Sequence, residues 1–181
     1  MGTRHTTMVI AGEKTKVAQY GQWDGYPSGQ GKTVLKIIRR MKRYNQFPTF
    51  LKQLEKVRFM TKKDDKAMDV FLKSIGSNDG WMTDEQAVLY HKRYPYMNRD
   101  HGATILDLIY HSKHDEILLA DSTDFASGKG FGCEWVYVIN LDKMTLTVYD
   151  GTLKANSVTF DINALPTQRD FMKALEPLEA Y

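Results

Sequence analysis

One cysteine in 181 residues leaves no intrachain disulfide. The disulfide-stapled secreted class is therefore excluded, and the expected compartment is the cytoplasm. That residue, Cys133, opens an apolar stretch and is expected as a small buried side chain rather than a nucleophile. Long hydrophobic runs are missing too, so no membrane-spanning segment is expected, and no membrane partner. The first residues, Met1 to His5, lack the apolar core of a secretory leader. Internal repeats and low-complexity tracts are absent. The zinc-ligand, zinc-finger and RNA-recognition spacings are absent as well. No metal and no cofactor is expected.

Aromatic residues make up 12% and hydrophobic residues 42% of the chain, enough for a sizeable core. The length fits a single domain, residues 1–181. Acidic charge is the conspicuous local shortage. Residues 32–63 hold eleven Lys and Arg against Glu55 alone, a net +10. The rest of the chain, with 14 bases and 21 acids, carries −7. Such polarity suits a nucleotide, a nucleic acid or an acidic protein surface, and equally a solvated pair of helix faces.

Residues 5–10 and 15–20 are β-branched and apolar, separated by Ala11-Gly12-Glu13-Lys14, which predicts a hairpin. A helix is expected from Lys32, with Val34, Leu35, Ile37, Ile38 and Met41 on one stripe and the bases opposite. A second helix is expected from Pro48, placing Phe50, Leu51, Leu54 and Val57 inward. Asp64 or Asp65 is expected to cap a third, stopped at Gly76. After a loop at 77–80, Thr83 and Gln86 form a capping box for a fourth. Residues 104–111 suggest a short helix, 116–121 a strand and 122–132 a glycine-rich loop. Residues 134–140 and 145–149 are the clearest strands, joined by a short turn and hence antiparallel. A strand at 157–160 and a helix at 167–175, capped by Thr167, complete the pattern. The fold class is α+β: a mostly antiparallel sheet, from an N-terminal hairpin plus a C-terminal meander, packed with helices.

The segment from Gln19 to Gly31 concentrates four glycines, Pro27, two tyrosines and Trp23 in one non-repetitive loop. Glycine permits unusual backbone shapes, and aromatics supply burial or stacking surface. Gly-Lys-Thr at 31–33 resembles the end of a phosphate loop, but Tyr26 stands where that motif requires its first glycine. Anion binding at the following helix start remains an expectation. Asp24 can orient a ligand or cap a turn, and Gln22 and Gln30 can read a ligand edge or tie the loop together. His111 and His114, with Asp115, resemble half of a metal site, but no second signature accompanies them. Arg39, Arg40, Lys42, Arg43 and Tyr44 place bases beside an aromatic on one helix, a combination able to track phosphates.

Thr3-Arg4-His5, the run from Val17 to Gly31 and Cys133 to Asp142 together resemble a family of small, largely uncharacterised proteins of bacteriophages and mobile elements. The resemblance spans most of the chain. It implies a phage accessory protein in the host-cell cytoplasm that counters host defence by binding host proteins or sequestering nucleotide signals. A fainter resemblance, in fold order only, is to N-terminal-nucleophile hydrolases. Those enzymes expose Cys, Ser or Thr first, whereas loss of Met1 here would expose Gly2.

The expected function is binding without catalysis of a small anionic, nucleotide-like ligand. Its site is expected at Arg4, His5, Tyr20, Gln22, Trp23, Asp24, Tyr26, Gln30, Lys32 and Trp135, the aromatics stacking a base and the cations holding phosphate. The alternatives are inhibition of a host protein through a basic face at Arg39, Arg40 and Arg43, or an amidohydrolase processed to Thr3. Nucleic acid is the lesser partner expectation, and self-association is compatible with the charge polarity.

Overall fold

The computed structural model describes residues 2–77, 81–129 and 132–178. The loops expected at 77–80 and 122–132 thus lie outside the described residues at 78–80 and 130–131. Strands β1 (His5–Ala11) and β2 (Lys14–Gly21) form the expected hairpin. Its two-residue turn, Gly12 and Glu13, has φ of 60° and 59°. That is the left-handed geometry matching the twist of paired strands. The Asp142 carboxylate accepts the N–H groups of both turn residues at 2.8 Å, which holds its pKa below the usual carboxylate range.

β5 (Trp135–Asn140), β6 (Thr145–Asp150) and β7 (Ser157–Asp161) form the antiparallel meander. The order is β2-β1-β5-β6-β7, and β5 lies parallel to β1 with His5 opposite Trp135. The sheet is therefore mixed but mostly antiparallel, and the α+β architecture stands. A parallel neighbour needs a long crossover. Here residues 22–134 supply it, and they carry most of the helices.

α1 (Lys32–Arg43) buries Val34, Leu35, Ile37, Ile38 and Met41 on the main core. That core also takes Val9, Val17, Trp135, Tyr137, Ile139, Leu146 and Val148 from one sheet face. α2 (Phe47–Leu54), α5 (Ile105–Tyr110) and α7 (Gln168–Leu175) close it with Phe50, Leu54, Ile105, Leu106, Ile109, Phe171 and Leu175. Full burial of such side chains is worth roughly 1.5–3 kcal/mol each. The opposite sheet face, with Met8, Ala18, Val136 and Val138, is covered more thinly by α6 (Thr123–Ala126) and Cys133. The Cys133 thiol lies 2.8 Å from the Thr6 hydroxyl, and burial pushes its pKa up, away from thiolate chemistry.

Four local expectations change, one being that α6 stands inside the stretch 122–132 expected as a loop. The second helix stops at Leu54, and Val57 instead starts β3 (Val57–Phe59), parallel to β4 (Ile117–Leu119). The stretch Val57-Arg58-Phe59 has strand-type residues and finds its partner only across the fold. Leu51, expected inward, is 40% exposed. α3 (Lys62–Ser74) is capped by Thr61, while Asp64 is the reciprocal partner in a capping box and also pairs with Arg58 at 2.7 Å. α4 (Asp84–Arg93) has the expected box, with the Thr83 N–H donating to Gln86 Oε1 at 2.9 Å.

Candidate functional site

The aromatic-glycine loop is fastened on several sides. The Gly25 N–H donates to the Thr3 carbonyl at 3.0 Å, and the buried Tyr137 hydroxyl donates to the Gly25 carbonyl at 2.6 Å. A Cβ at Gly25 would lie 2.6 Å from the Thr3 oxygen, and one at Gly21 only 2.1 Å from the His5 ring. These glycines are required by close approach. Gln30 Oε1 accepts the Ala103 N–H at 3.0 Å, tying the loop to the 3-10 segment Arg99–Thr104. The Tyr20 hydroxyl donates to Gln22 Oε1 at 2.7 Å. Gln22 and Gln30 thus act as ties within the fold.

The helix start is also engaged. Pro27–Gly31 forms a π-turn that runs directly into α1. Gly29 and Gly31 donate their N–H groups to the Tyr26 carbonyl, at 3.0 and 3.2 Å, and Gln30 donates to the Asp24 carbonyl at 2.9 Å. Donors that an anion would use are consumed by loop carbonyls.

The residues expected to form one ligand site are distributed over separate places. Arg4 is committed to Glu134, whose Oε2 accepts the Arg4 N–H at 2.7 Å and lies 3.8 Å from Nε. His5 is buried, edge-on to Tyr137, and its ring nitrogens make no full hydrogen bond. Burial lowers its pKa from the ordinary 6.5 to about 4, with the nearby Thr3 backbone and Asp24 only partly offsetting this. Tyr20 packs on Phe125 with ring centroids 5.0 Å apart. Trp23 lies over Gly2 yet stays 54% exposed, and Asp24 is exposed with φ +54°. Tyr26 and the buried Trp135 do meet, in a hollow of about 530 Å³ with Thr3, Ser28, Glu134 and Asp150. Its two carboxylates oppose a phosphate, and partial burial raises the Asp150 pKa. Lys32 opens onto a different surface.

That surface is a groove of about 980 Å³ along α1, lined by six bases: Lys32, Lys36, Arg39, Arg40, Lys42 and Arg43. Tyr44 also lines it, as do Leu165 and Gln168 from the far end of the chain. None of the lining residues is acidic. Two of the six cations are tied to neighbouring parts of the fold. Arg40 forms a two-pronged pair with Asp107 on α5, Nη1 to Oδ2 at 3.0 Å, which raises its pKa. Lys42 Nζ donates to the Asn163 carbonyl. Lys32, Lys36, Arg39 and Arg43 make no ion pair with a carboxylate among the described residues. Arg43 lies 5.7 Å from the Tyr44 ring centroid, and Tyr44 is 63% exposed.

The structure therefore groups Arg39, Arg40, Lys42, Arg43 and Tyr44 with Lys32 and adds Lys36, Leu165 and Gln168. The recurrence of bases every three or four residues on α1 was the available signal for Lys36. No local pattern marks Leu165 and Gln168. His101, His111 and His114 line a hollow of about 520 Å³, but His101 Nε2 is engaged by the Pro95 carbonyl at 2.9 Å. Among the described residues no group of three His, Cys, Asp or Glu is arranged to hold a metal ion, and no helix is long and apolar enough to cross a membrane. Comparison with protein-family models, curated proteins and solved structures gives no match.

Proposed function

We propose that this chain is a binding protein whose α1 groove takes up a phosphate-bearing, nucleotide-like anion. The observation that carries the reading is the row of four cations with no carboxylate partner among the described residues, in a concave surface that has no acidic lining residue. The groove's size is in the range of small-molecule sites. Guanidinium and ammonium groups give charge-assisted hydrogen bonds to phosphate. Arg40 and Lys42 are held in place by Asp107 and the Asn163 carbonyl, so part of the site is organised before a ligand arrives. The aromatic-glycine loop then serves as scaffold: it delivers the chain into α1 and fixes the helix's start.

The resemblance to mobile-element proteins extends the proposal to sequestration of a host immune signal in the cytoplasm of an infected cell. Thr3, which an N-terminal-nucleophile hydrolase would need to be free, is buried and its carbonyl is bonded to Gly25. That favours binding over amide cleavage.

The test is calorimetric titration with ADP and with pyrophosphate at low ionic strength. Replacing Lys36→Gln and Arg39→Gln together should weaken binding by tenfold or more, each charged contact being worth about 1.5–3 kcal/mol. Trp23→Ala should leave affinity unchanged. Equal affinity of the double variant and the unaltered protein would remove the groove assignment. Capture of an acidic protein, abolished by charge reversal at Arg39, Arg40 and Arg43 with no anion bound, would establish inhibition of a host protein instead.

A further inference from the structure

We propose that the occupant of the α1 groove is a short single strand of nucleic acid of about four phosphates, a reading that rests on the anion-binding assignment above. Lys32, Lys36, Arg39 and Arg43 recur at intervals of four, three and four residues. On an α-helix these positions fall within about 40° of one line and extend over about 16 Å. Arg40 and Lys42, roughly 80° to either side of that line, are the two cations held by the fold, to Asp107 and Asn163. The cations left available are thus the ones in line.

A row has a different preferred ligand from a cluster. The phosphates of a mononucleotide adjoin one another and can engage one or two of the four cations. A strand offers one phosphate per nucleotide, at about 3.4 Å of axis when stacked and roughly twice that when unstacked. The steps along α1 are about 4.5 and 6 Å, which matches a largely unstacked strand. Unstacked bases need a surface, and Tyr44 offers one: it lines the same groove, is 63% exposed and has the Arg43 guanidinium near its ring. The contact remains short because the row of available cations on α1 is four long and ends at Arg43. Within residues 32–63, Arg58 is paired with Asp64 and Glu116, so it does not lengthen the track.

The experiment is fluorescence anisotropy with labelled thymidine oligomers of two, four, six and twelve nucleotides, with thymidine monophosphate, a twelve-pair duplex and poly-glutamate as competitors. Affinity should rise steeply up to about four phosphates and then level off. The slope of log K against log salt should be about −3, and Arg43→Gln should reduce its magnitude by about 0.7. Tyr44→Ala should weaken binding roughly tenfold without changing the slope. Both residues are exposed, and unchanged circular dichroism and melting would show that the variants are folded. Monophosphate competing as well as the tetranucleotide would overturn this inference while leaving the anion reading intact. Duplex competing as well as single strand would also overturn it. No binding of any phosphate ligand, with poly-glutamate or an acidic protein bound instead, would overturn both readings.

Discussion

At the scale of single residues, His5 is a closely packed, buried polar side chain. Its ring lies against Gly21, where a Cβ would be 2.1 Å away, and its nitrogens are buried without full hydrogen bonds. Burial holds it neutral down to about pH 4, whereas an unfolded chain takes up the proton near 6.5. The unfolded state thus binds more protons between those values, and stability must fall as pH drops from 6.5 to 4. The loss is on the order of 3 kcal/mol. It is fully avoided above pH 6.5 and does not grow below 4. Urea unfolding at pH 7, 5.5 and 4.5 should show this decline, and His5→Leu should flatten it. An equally steep decline in the variant would assign the effect to carboxylates. Residue identity revealed a histidine beside a candidate loop. Only packing against two glycines and Tyr137 shows that it is sealed rather than presented to a ligand.

At the scale of elements, the sequence was legible wherever the signal is local. The apolar stripe of α1, the β1–β2 turn and the caps at Thr83 and Thr167 depend on residues within one or two turns of each other. β3 was misread because a three-residue strand is defined by its partner, and Ile117–Leu119 lies some 60 residues away. The α4 cap gives a graded prediction. Thr83→Ala removes the hydroxyl that accepts the Gln86 N–H and should cost about 1 kcal/mol. Gln86→Ala removes the reciprocal bond and also the Gln86 Nε2 donation to the Ile75 carbonyl at 2.9 Å. It should therefore loosen α4 more. Amide exchange across Asp84–Arg93 measures both, and a larger effect from Thr83→Ala would show that the tether to α3 contributes nothing.

At the scale of the whole molecule, burial is distributed unevenly. β5 is apolar on both faces and lies at the centre of the sheet, while α3 has no buried residue. Hydrogen exchange in the native state should release the amides of Lys62–Ser74 well before those of Trp135–Asn140. Equal protection would show that α3 unfolds only with the core. The run Trp135-Val136-Tyr137-Val138-Ile139 already signalled a strand, and the structure covers it on both sides. What it could not state is that one neighbour is β1, in parallel. The charge asymmetry was plain from counting, as were the bases at 39, 40 and 43. The groove was not, because its opposite wall comes from Leu165 and Gln168 and its fixed cations depend on Asp107 and Asn163. By itself, then, the sequence determined most of the helices, the hairpins, the α+β class and a basic α1, because periodicity, turn chemistry and charge act over a few residues. The tertiary structure alone decided that the aromatic-glycine loop is bound into the scaffold and that four aligned cations remain available. Those outcomes depend on which distant carbonyls and carboxylates the folded chain brings within hydrogen-bond reach.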